Sequence, residues 1–364
     1  MIIAIIAGAR PNFMKIAPII EAIEFEKKSG KAIDYRLIHT GQHYDKNMSG
    51  SFFEELGIPQ PHVNLECGGG TQAEQTANIM VAFEKDLLKN PADLVLVVGD
   101  VTSTMACSIV AKKLHIKVAH VEAGIRSFDL TMPEEINRMV TDAITDYFFT
   151  TTELANENLR RNGAGDEQIF FVFFVMIDTL LKHRPNFKKP SIWDKLELKE
   201  KGFIVMTLHR PANVDADNKL KSLLNEIVAH SGDLPLIFPV HPRTAKIIDS
   251  LGISYTRLHM IDPLGYLEFN YLVERAKAVI TDSGGITEET SVMGVPCMTL
   301  RDNTERPETT TLGTNELLGT DPGAIKPAMN NLLTGNWKKA SQIPLWDGQT
   351  STRIVKKLIE LFKL

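Results

Sequence analysis

Short apolar runs alternate with amphipathic stretches along most of this chain, and this alternation restricts the fold more than any other feature. In the first half the runs are IIAIIA (2–7), YRLIHT (35–40), DLVLVVGD (93–100), KVAHV (117–121), YFFTT (147–151) and FFVFFV (170–175). Continuous apolar runs of this length are typical of strands buried on both faces. The stretches between them, such as MKIAPIIEAIEFEKK, have the spacing of amphipathic helices. Alternating strands and helices predict a parallel sheet with helices on both sides.

The pattern stops at HRPNFKKPSIWDKLELKEKG (183–202) and then starts again. The later runs are FIVMTLH (203–209), LPLIFPVH (234–241), KAVITDS (277–283) and PCMTLR (296–301). A length of 364 residues also suits two domains. We therefore predict an α/β protein with two doubly wound Rossmann-like domains that face a central cleft. The predicted parts are an N-terminal domain (1–182), a linker (183–201), a C-terminal domain (202–345) and a final helix (346–364) that packs back on the N-terminal domain.

Composition excludes several classes of protein. The net charge of −5 is spread without a basic block, so neither nucleic acid nor a membrane surface is an expected partner. The longest late apolar run, IFFVFFVMI (169–177), is much shorter than the ~20 residues of a membrane helix. The cysteines Cys67, Cys107 and Cys297 are far apart and match no zinc or redox spacing. We expect a cytoplasmic protein without a bound metal.

Polar side chains follow most of the predicted strands at the point where each strand ends. Because ligands of parallel sheets bind at the carboxyl ends of the strands, we expect a site there, in the cleft between the domains. Any single one of these residues could be a structural cap, but their coincidence favours a site. They are Arg10, Lys15, Gln42, His43, Asp100, His120, Glu122, His209, Arg210, His241, Arg243 and the Ser283-Gly284-Gly285 turn.

The stretch TDSGGITEET (281–290) suits either an anion site or a plain tight turn before a helix with Glu288 and Glu289 in its first turn. A strand that ends in Ser-Gly-Gly and leads into a helix leaves free N–H groups at the helix N-terminus, where a phosphate binds well. RDNTERPETT (301–310) adds Arg301 and Arg306 to the same rim. The chain has no GxxxxGK[ST], no GxGxxG after the first strand and no GxSxG, which argues against the usual NTPases, dinucleotide enzymes and serine hydrolases. Cations beside carboxylates favour chemistry on an activated sugar phosphate.

The motifs taken together resemble the non-hydrolysing UDP-N-acetylglucosamine 2-epimerases. In chain order they are GARPNFMK, HTGQH, VVGD, HVEAGIRS, MPEEINR, TLHRPANVD, FPVHPR, TDSGGITEE and RDNTERPE, from about residue 2 to residue 322. The resemblance implies the two-domain glycosyltransferase-B fold and a homodimer without a nicotinamide cofactor. It implies interconversion of UDP-N-acetylglucosamine and UDP-N-acetylmannosamine for cell-surface polysaccharides.

The resemblance also implies roles for individual residues. The family's three key carboxylates match Asp100, Glu122 and Glu134, and the histidine near the leaving phosphate matches His209. The Ser-Gly-Gly turn would hold the diphosphate, Glu289 the ribose hydroxyls, and Phe269 would lie against the uracil. The full set of expected UDP or substrate contacts is Arg10, Lys15, Arg138, His241, Arg243, Phe269, Ser283, Gly284, Gly285, Glu289 and Arg306. Arg138 would orient Glu134 or form a plain helix ion pair.

The implied chemistry accounts for several acids. Breaking the C1–O bond of the sugar releases UDP and builds positive charge at C1, which makes loss of the C2 proton feasible. The product is 2-acetamidoglucal plus UDP, and re-addition then delivers a proton to the opposite face. Two faces require at least two acid–base groups.

Gln42 and His43 fall in the region through which a second substrate molecule activates many bacterial members, but GGTQ (69–72) lacks the usual arginine there.

The chain departs from the family pattern at Phe173-Phe174, where members usually have Gly-Asn. Glycine adopts the positive φ of a tight turn without steric cost, whereas phenylalanine does not. A widened pocket, a different sugar or an error in the recorded sequence would each account for the change. Ala212 also replaces the glutamate common in HRxEN. The alternatives are therefore a 2-epimerase of another UDP-HexNAc, a hydrolysing 2-epimerase, a glycosyltransferase and a UDP-sugar-binding protein with impaired catalysis.

Overall fold

The protein consists of two compact units, Met1–Lys182 with Leu345–Leu364, and His183–Pro344. The computed structural model describes residues 1–41, 55–214, 217–240, 242–252 and 254–364. Residues 183–201, which the sequence predicted as a linker, lie within the second unit. Ile192 and Leu198 are buried there against Phe203, so this stretch belongs to a core.

The first unit is built on a seven-stranded sheet in the order β3-β2-β1-β4-β5-β6-β7, and every neighbouring pair is parallel. The strands are β1 (Ile2–Ala7), β2 (Asp34–His39), β3 (Val63–Asn64), β4 (Leu94–Val98), β5 (Lys117–Ala123), β6 (Tyr147–Thr150) and β7 (Ile169–Phe171). The helices are α1 (Arg10–Lys28), α2 (Gln72–Lys89), α3 (Thr102–Lys113), α4 (Pro133–Ile144), α5 (Glu153–Arg161) and α6 (Met176–His183), whose last residue enters the second unit.

The second unit contains a six-stranded parallel sheet in the order β10-β9-β8-β11-β12-β13. The strands are β8 (Ile204–Thr207), β9 (Leu236–Pro239), β10 (Leu258–Ile261), β11 (Ala278–Thr281), β12 (Cys297–Thr299) and β13 (Asn315–Leu317). The helices are α7 (Ser191–Lys195), α8 (Pro211–Val214), α9 (Asp217–His230), α10 (Pro242–Ser250), α11 (Tyr266–Arg275), α12 (Gly284–Met293), α13 (Pro307–Thr311) and α14 (Ile325–Leu333). The last helix of the chain, α15 (Thr350–Phe362), belongs to the first unit.

Both sheets have the doubly wound topology that the sequence predicts. Strand order proceeds in one direction from the first strand of each sheet and then reverses, so right-handed connections place helices on both faces. Burial in the second sheet agrees with this. Ile204 and Met206 of β8 pack in one apolar cluster, while Phe203 and Val205 pack in the cluster on the opposite face. The predicted α/β fold class is confirmed.

The C-terminal helix α15 is held on the first unit by Asp178 of α6. One carboxylate oxygen of Asp178 accepts the amide of Thr350 (3.1 Å), and the other accepts both the amide and the hydroxyl of Ser351 (2.7 Å each). Burial raises the pKa of Asp178, although these hydrogen bonds lower it in part. A carboxylate at this position satisfies N–H groups that a helix N-terminus leaves unpaired.

Phe173 and Phe174 lie in the interior of the first unit. Phe173 stacks on Phe171 (centroids 4.1 Å apart), and Phe174 meets Trp346 edge to face (5.9 Å). The backbone of Phe173 has φ = 71°, the left-handed conformation for which glycine is suited. A strained phenylalanine therefore makes this left-handed turn.

This strain predicts an unusual order of stability for two substitutions. Phe173→Gly and Phe173→Ala both remove the ring, but only alanine keeps a Cβ in the left-handed conformation, which costs roughly 1–2 kcal/mol. We expect the glycine variant to be the more stable by about 1 kcal/mol after allowing for the flexibility of glycine in the unfolded chain. Denaturant unfolding measures the difference. Phe171, which has no positive φ, is the control position, where alanine should be the more stable.

No helix among the described residues is long and apolar enough to span a lipid bilayer.

Candidate active site

In the first unit, two acidic side chains stand at the ends of the neighbouring strands β4 and β5. Asp100 follows β4 after one residue, and Glu122 lies near the end of β5. Pairing between β5 and β6 shifts at Val121–Ala123, and Glu122 has φ = 68° within this bulge. Bulges redirect side chains, and strained backbone is often found at functional sites. Bulge and strain therefore set the direction of the Glu122 carboxylate.

Lys15 of α1 forms a buried ion pair with Glu122. The ammonium nitrogen lies 2.5 Å from Glu122 Oε2, and the two side chains are 9% and 4% exposed. The second carboxylate oxygen, Oε1, is buried and has no hydrogen-bond partner among the described residues. A Cβ added at Gly99 would lie 3.0 Å from Lys15 Nζ, so the glycine lets the chain pass close to this pair. Glu122 thus keeps one unpartnered oxygen as an acceptor.

Asp100 is held by an arginine from α4. Its Oδ2 accepts from Arg138 Nε (3.0 Å) and Nη2 (2.7 Å), and Asn137 Nδ2 donates to its backbone oxygen (2.9 Å). Arg138 also donates to Glu135 (2.9 Å), which is almost fully buried. Glu134 is half-buried in the first turn of the same helix and makes no hydrogen bond with a described residue. Arg138 therefore joins Asp100 to Glu135, and its pair with Glu135 is a helix ion pair, one of the two alternatives that the sequence offered.

Asn12 fixes the backbone around the end of β1. Its Oδ1 accepts the amides of Gly8 and Ala9 (3.0 Å each), and its Nδ2 donates to Val98 O (3.0 Å). Asn12 and Glu135 are buried functional candidates that sequence reasoning missed. Both residues lie within motifs quoted above, GARPNFMK for Asn12 and MPEEINR for Glu135, and this position could have identified them.

In the second unit, His209 follows β8 and contacts a fully buried carboxylate. His209 Nδ1 lies 2.8 Å from Asp282 Oδ1, and the imidazole side chain is 55% exposed. Burial raises the pKa of Asp282, but the hydrogen bond and charge of His209 together with two backbone amides lower it by more. Those amides belong to His209 and Arg210. With Nδ1 bound to Asp282, Nε2 remains available for proton transfer or for a phosphate oxygen. Asp282, in TDSGG, was not identified from the sequence.

The Ser283-Gly284-Gly285 turn leads from β11 into α12. Ser283 occupies the N-cap position in extended conformation, and α12 begins at Gly284. A Cβ at Gly284 would lie 3.0 Å from Arg306 Nη1 and 3.4 Å from Arg301 Nη1. Two guanidinium groups beside a helix N-terminus favour an anion such as a diphosphate. Arg306 also forms an ion pair with the buried Glu288.

Glu289 lies one residue further along α12 and is 4% exposed. Burial and the adjacent Glu288 raise its pKa from 4.5 to about 7, although hydrogen bonds with Tyr266 and Asn270 counteract part of this effect. Phe269, which is half-buried, sits on α11 between these two partners. Tyr266 and Asn270 were not predicted, because only the packing of α11 on α12 brings them to Glu289.

Some predicted residues cannot be placed. Gln42, His43 and His241 lie outside the described residues, and so do the side chains of Arg10 and Arg243. Among the predicted residues that the structure describes, Lys15 contacts Glu122 and Arg138 contacts Asp100 in the first unit. In the second unit, Arg306 lies beside Gly284, and His209 contacts Asp282, which directly precedes Ser283. Glu134 lies in the first unit, and Phe269, Gly285 and Glu289 lie in the second.

Comparison with known proteins identifies the family. The profile described as UDP-N-acetylglucosamine 2-epimerase matches residues 26–359. The chain belongs to the UDP-N-acetylglucosamine 2-epimerase family. The predicted resemblance and the predicted enzyme class, a sugar-nucleotide 2-epimerase, are therefore confirmed.

Relatives within the 2-epimerase family match along their full length. The UDP-N-acetylglucosamine 2-epimerase of Methanocaldococcus jannaschii is 42% identical over 98% of this chain and 99% of its own. The UDP-2,3-diacetamido-2,3-dideoxy-D-glucuronate 2-epimerase of Pseudomonas aeruginosa is 40% identical over 99% of this chain and 100% of its own. The crystal structure of the M. jannaschii enzyme in complex with UDP-GlcNAc and UDP covers 99% of this chain and 100% of its own, with a TM-score of 0.86 and 41% identity.

Proposed function

We propose that this enzyme interconverts UDP-N-acetylglucosamine and UDP-N-acetylmannosamine by eliminating UDP to give 2-acetamidoglucal and then adding it back. The observation that carries the proposal is the pair of acids at the ends of β4 and β5, each held by a buried cation. Lys15 lies against Glu122, and Arg138 lies against Asp100. Acids in fixed positions at neighbouring strand ends suit proton transfer at a single carbon.

The acids of the first unit would carry the proton transfers at C2. Elimination breaks the C1–O bond with its electron pair going to UDP, while the C2 proton passes to a carboxylate. Re-addition reverses both steps, with a proton delivered to the opposite face of the sugar. Glu122, with one unpartnered oxygen, Asp100 and Glu134 are the proposed acid–base groups. Lys15 and Arg138 would orient two of them, because each donates directly to its carboxylate.

The residues of the second unit would bind UDP. The Ser283-Gly284-Gly285 turn and Arg306 would hold the diphosphate, since helix N–H groups and a guanidinium support the charge of the leaving group. Glu289 would accept the ribose hydroxyls, and Phe269 would lie against the uracil. His209, oriented by Asp282, would act at the leaving phosphate.

We extend the proposal to the assembly and the cellular role. A homodimer is proposed from the family resemblance, and exposed apolar side chains of the first unit, among them Ile136 (48%) and Met139 (47%), are surface that a second copy would cover. Three buried free cysteines support a cytoplasmic location. The supply of a precursor of cell-surface polysaccharide is proposed from the family resemblance. Light scattering on the purified protein gives the oligomeric state.

Product analysis tests the reaction. The purified enzyme is incubated with UDP-N-acetylglucosamine, and sugar nucleotides and free sugars are separated by chromatography. We expect a mixture of the two UDP-sugars at equilibrium. Release of free N-acetylmannosamine with UDP would contradict the proposal and indicate a hydrolysing enzyme. Binding of UDP without any product would indicate impaired catalysis.

A second substrate belongs in the same experiment because of the P. aeruginosa relative, which is named for a UDP-diacetamido-glucuronate. That sugar carries a carboxylate at C6 and a second acetamido group at C3. The two candidates are compared by kcat/KM under identical conditions. A higher kcat/KM with the UDP-diacetamido-glucuronate would make that sugar nucleotide the preferred substrate. The proposed reaction, 2-epimerisation, would stand.

Glu289 predicts a pH dependence of UDP binding. Its pKa in the folded protein, about 7, is raised above 4.5, so between these values the folded enzyme holds a proton that the unfolded chain has lost. Its contribution to stability is therefore greatest below pH 4.5 and is lost as the pH rises through about 7. Ribose hydroxyls donate to the ionised form, so UDP should bind about tenfold more weakly at pH 6 than at pH 8.

Calorimetry at both pH values measures this difference. Glu289→Gln is the matched control, because it removes the titrating group while the phosphates of UDP titrate as before. An equal pH dependence in the native enzyme and the variant would rule out Glu289 as its source.

A further inference from the structure

A buried charged cluster lies beside the acids of the first unit, centred on His120 of β5. His120 is 1% exposed, and both of its ring nitrogens face oxygen atoms. Nδ1 lies 2.7 Å from Asp142 Oδ1, and Nε2 lies 2.8 Å from the backbone oxygen of Gly99. A carbonyl oxygen can only accept a hydrogen bond, and so can an ionised carboxylate. The protonation state of Asp142 therefore decides that of the histidine.

Asp142 of α4 is surrounded by donors. Its Oδ2 accepts from Gly124 N (3.0 Å) and from Arg126 Nη1 (2.7 Å), while Oδ1 faces His120. Burial raises the pKa of Asp142, whereas His120 and Arg126 lower it, and the donors at Oδ2 favour the ionised carboxylate whatever the state of the histidine. Asp142 is thus an acceptor at both oxygens.

A neutral imidazole does not fit between these two acceptors. It carries one N–H, so its other nitrogen would direct a lone pair at an oxygen lone pair less than 3 Å away. A buried acceptor that faces another acceptor with no proton between them is unfavourable. An imidazolium donates from both nitrogens and satisfies both oxygens.

We propose that His120 is an imidazolium in the native enzyme and is the positioning residue that fixes the Gly99–Asp100 turn for catalysis. The positioning role, unlike the protonation state, rests on the proposed function. The other contacts of the turn are Gly99 N to Val121 O (3.0 Å) and Asn137 Nδ2 to Asp100 O (2.9 Å). His120 supplies the only charged donor to the Gly99 carbonyl among the described residues. Because a Cβ at Gly99 would reach within 3.0 Å of Lys15 Nζ, a shift of this turn would disturb Asp100 and the Lys15–Glu122 pair together.

The charges around His120 come from several elements. Strand β4 (LVLVV) has no titratable side chain, β6 has only Tyr147, and α3 has Cys107 and, at its C-terminal end, Lys112 and Lys113. The charged residues nearer the turn are Lys15 of α1, Asp100 after β4, Glu122 on β5, Arg126 after β5, and Glu135, Arg138 and Asp142 of α4. Lys15 pairs with Glu122, and Arg138 pairs with Asp100 and Glu135. The Asp142 carboxylate is the negative group in direct contact with the ring, and it is shared with Arg126 through its other oxygen.

Nitrogen NMR on the native enzyme tests the protonation state without any activity. The protein is labelled with ¹⁵N-histidine, and the signals of His120 are assigned by their loss in His120→Gln. At pH 8 we expect protons on both ring nitrogens of His120. One protonated nitrogen at that pH would overturn the proposal. If His120→Gln does not fold, His120→Asn serves for the assignment.

Kinetics test the positioning role. His120→Gln should lower kcat about 100-fold, the typical cost of misplaced catalytic groups, while the Kd for UDP stays within twofold. His115→Gln, at an exposed histidine, is the control and should leave both values unchanged. An unchanged kcat in His120→Gln would overturn the positioning role.

A second variant keeps the test open if the first does not fold. Asp142→Asn retains an acceptor for Nδ1 but removes the negative charge, so the nitrogen spectrum at pH 8 should show a single ring proton on His120 and kcat should fall below the native value. Two ring protons and an unchanged kcat in this variant would contradict the proposal. A doubly protonated ring in an enzyme without epimerase activity would refute the proposed function and leave the protonation state standing.

Discussion

Replacing Glu122 with glutamine is expected to reduce epimerase turnover about 10³-fold, within the range that acid–base groups contribute. Glutamine has nearly the same shape and can still accept from Lys15, but it cannot take up or deliver the C2 proton. The residues proposed to hold the diphosphate, the ribose and the uracil belong to the second unit, so the Kd for UDP should stay within about twofold of the native value. Turnover and calorimetric Kd are measured on the same preparation.

The matched control is Glu84→Gln, the same substitution at an exposed position on α2. It should have no effect on either value. Thermal unfolding of both variants shows whether the loss of the buried charge has disturbed the fold, since breaking a buried ion pair can itself be destabilising. Unchanged turnover in a folded Glu122→Gln variant would remove Glu122 from the mechanism.

Replacing Asp178 with alanine is expected to loosen the C-terminal helix by about 3 kcal/mol, because hydrogen bonds to a charged acceptor are strong and the amides of Thr350 and Ser351 would remain buried and unpaired. Amide hydrogen exchange along α15 should become about 100-fold faster, with little change in the second unit. The apparent melting temperature of the protein should fall as well.

Two further variants measure how much individual hydrogen bonds of Asp178 contribute to stability. Ser351→Ala removes one hydroxyl hydrogen bond and should cost about 1 kcal/mol. Asp178→Asn keeps an acceptor for the helix amides. Its loss of stability should therefore lie between those of Ser351→Ala and Asp178→Ala. Exchange in Asp178→Ala as slow as in the native protein would mean that apolar side chains of α15, such as Ile354 and Leu358, hold the helix without the carboxylate.

The architecture could be predicted because strands buried on both faces appear in a sequence as continuous apolar runs. The apolar runs at residues 2–7 and 93–100 both contain central strands of the first sheet, β1 and β4. Short edge strands leave little signal, and β3, β10 and β13 were not predicted. The run FFVFFV was expected to be strand throughout, but β7 ends at Phe171, because the chain turns at Phe173 through a positive φ that local sequence does not indicate.

The strand-end positions of several candidate site residues could be predicted from the sequence. Asp100, Glu122 and His209 all follow or end strands as expected. Their partners were less visible. The ion pair of Lys15 with Glu122 was not predicted, and neither was the contact of Asp282 with His209.

Such pairings depend on tertiary packing, which a single sequence does not specify. Glu135 and Tyr266 illustrate this. Each is adjacent to a predicted residue or near one on the same helix, yet its role comes from contacts with another element, Ser127 for Glu135 and Glu289 for Tyr266.

Exchange at C2 tests the central claim most directly. The purified enzyme is incubated with UDP-N-acetylglucosamine in D2O, and the proton spectrum is followed over time. If the carboxylates of the first unit remove and return the C2 proton, the C2 signal will disappear as UDP-N-acetylmannosamine accumulates with deuterium at C2. Accumulation of UDP-N-acetylmannosamine that keeps its original C2 proton would contradict proton exchange with solvent at these acids, and with it the mechanism proposed for this enzyme.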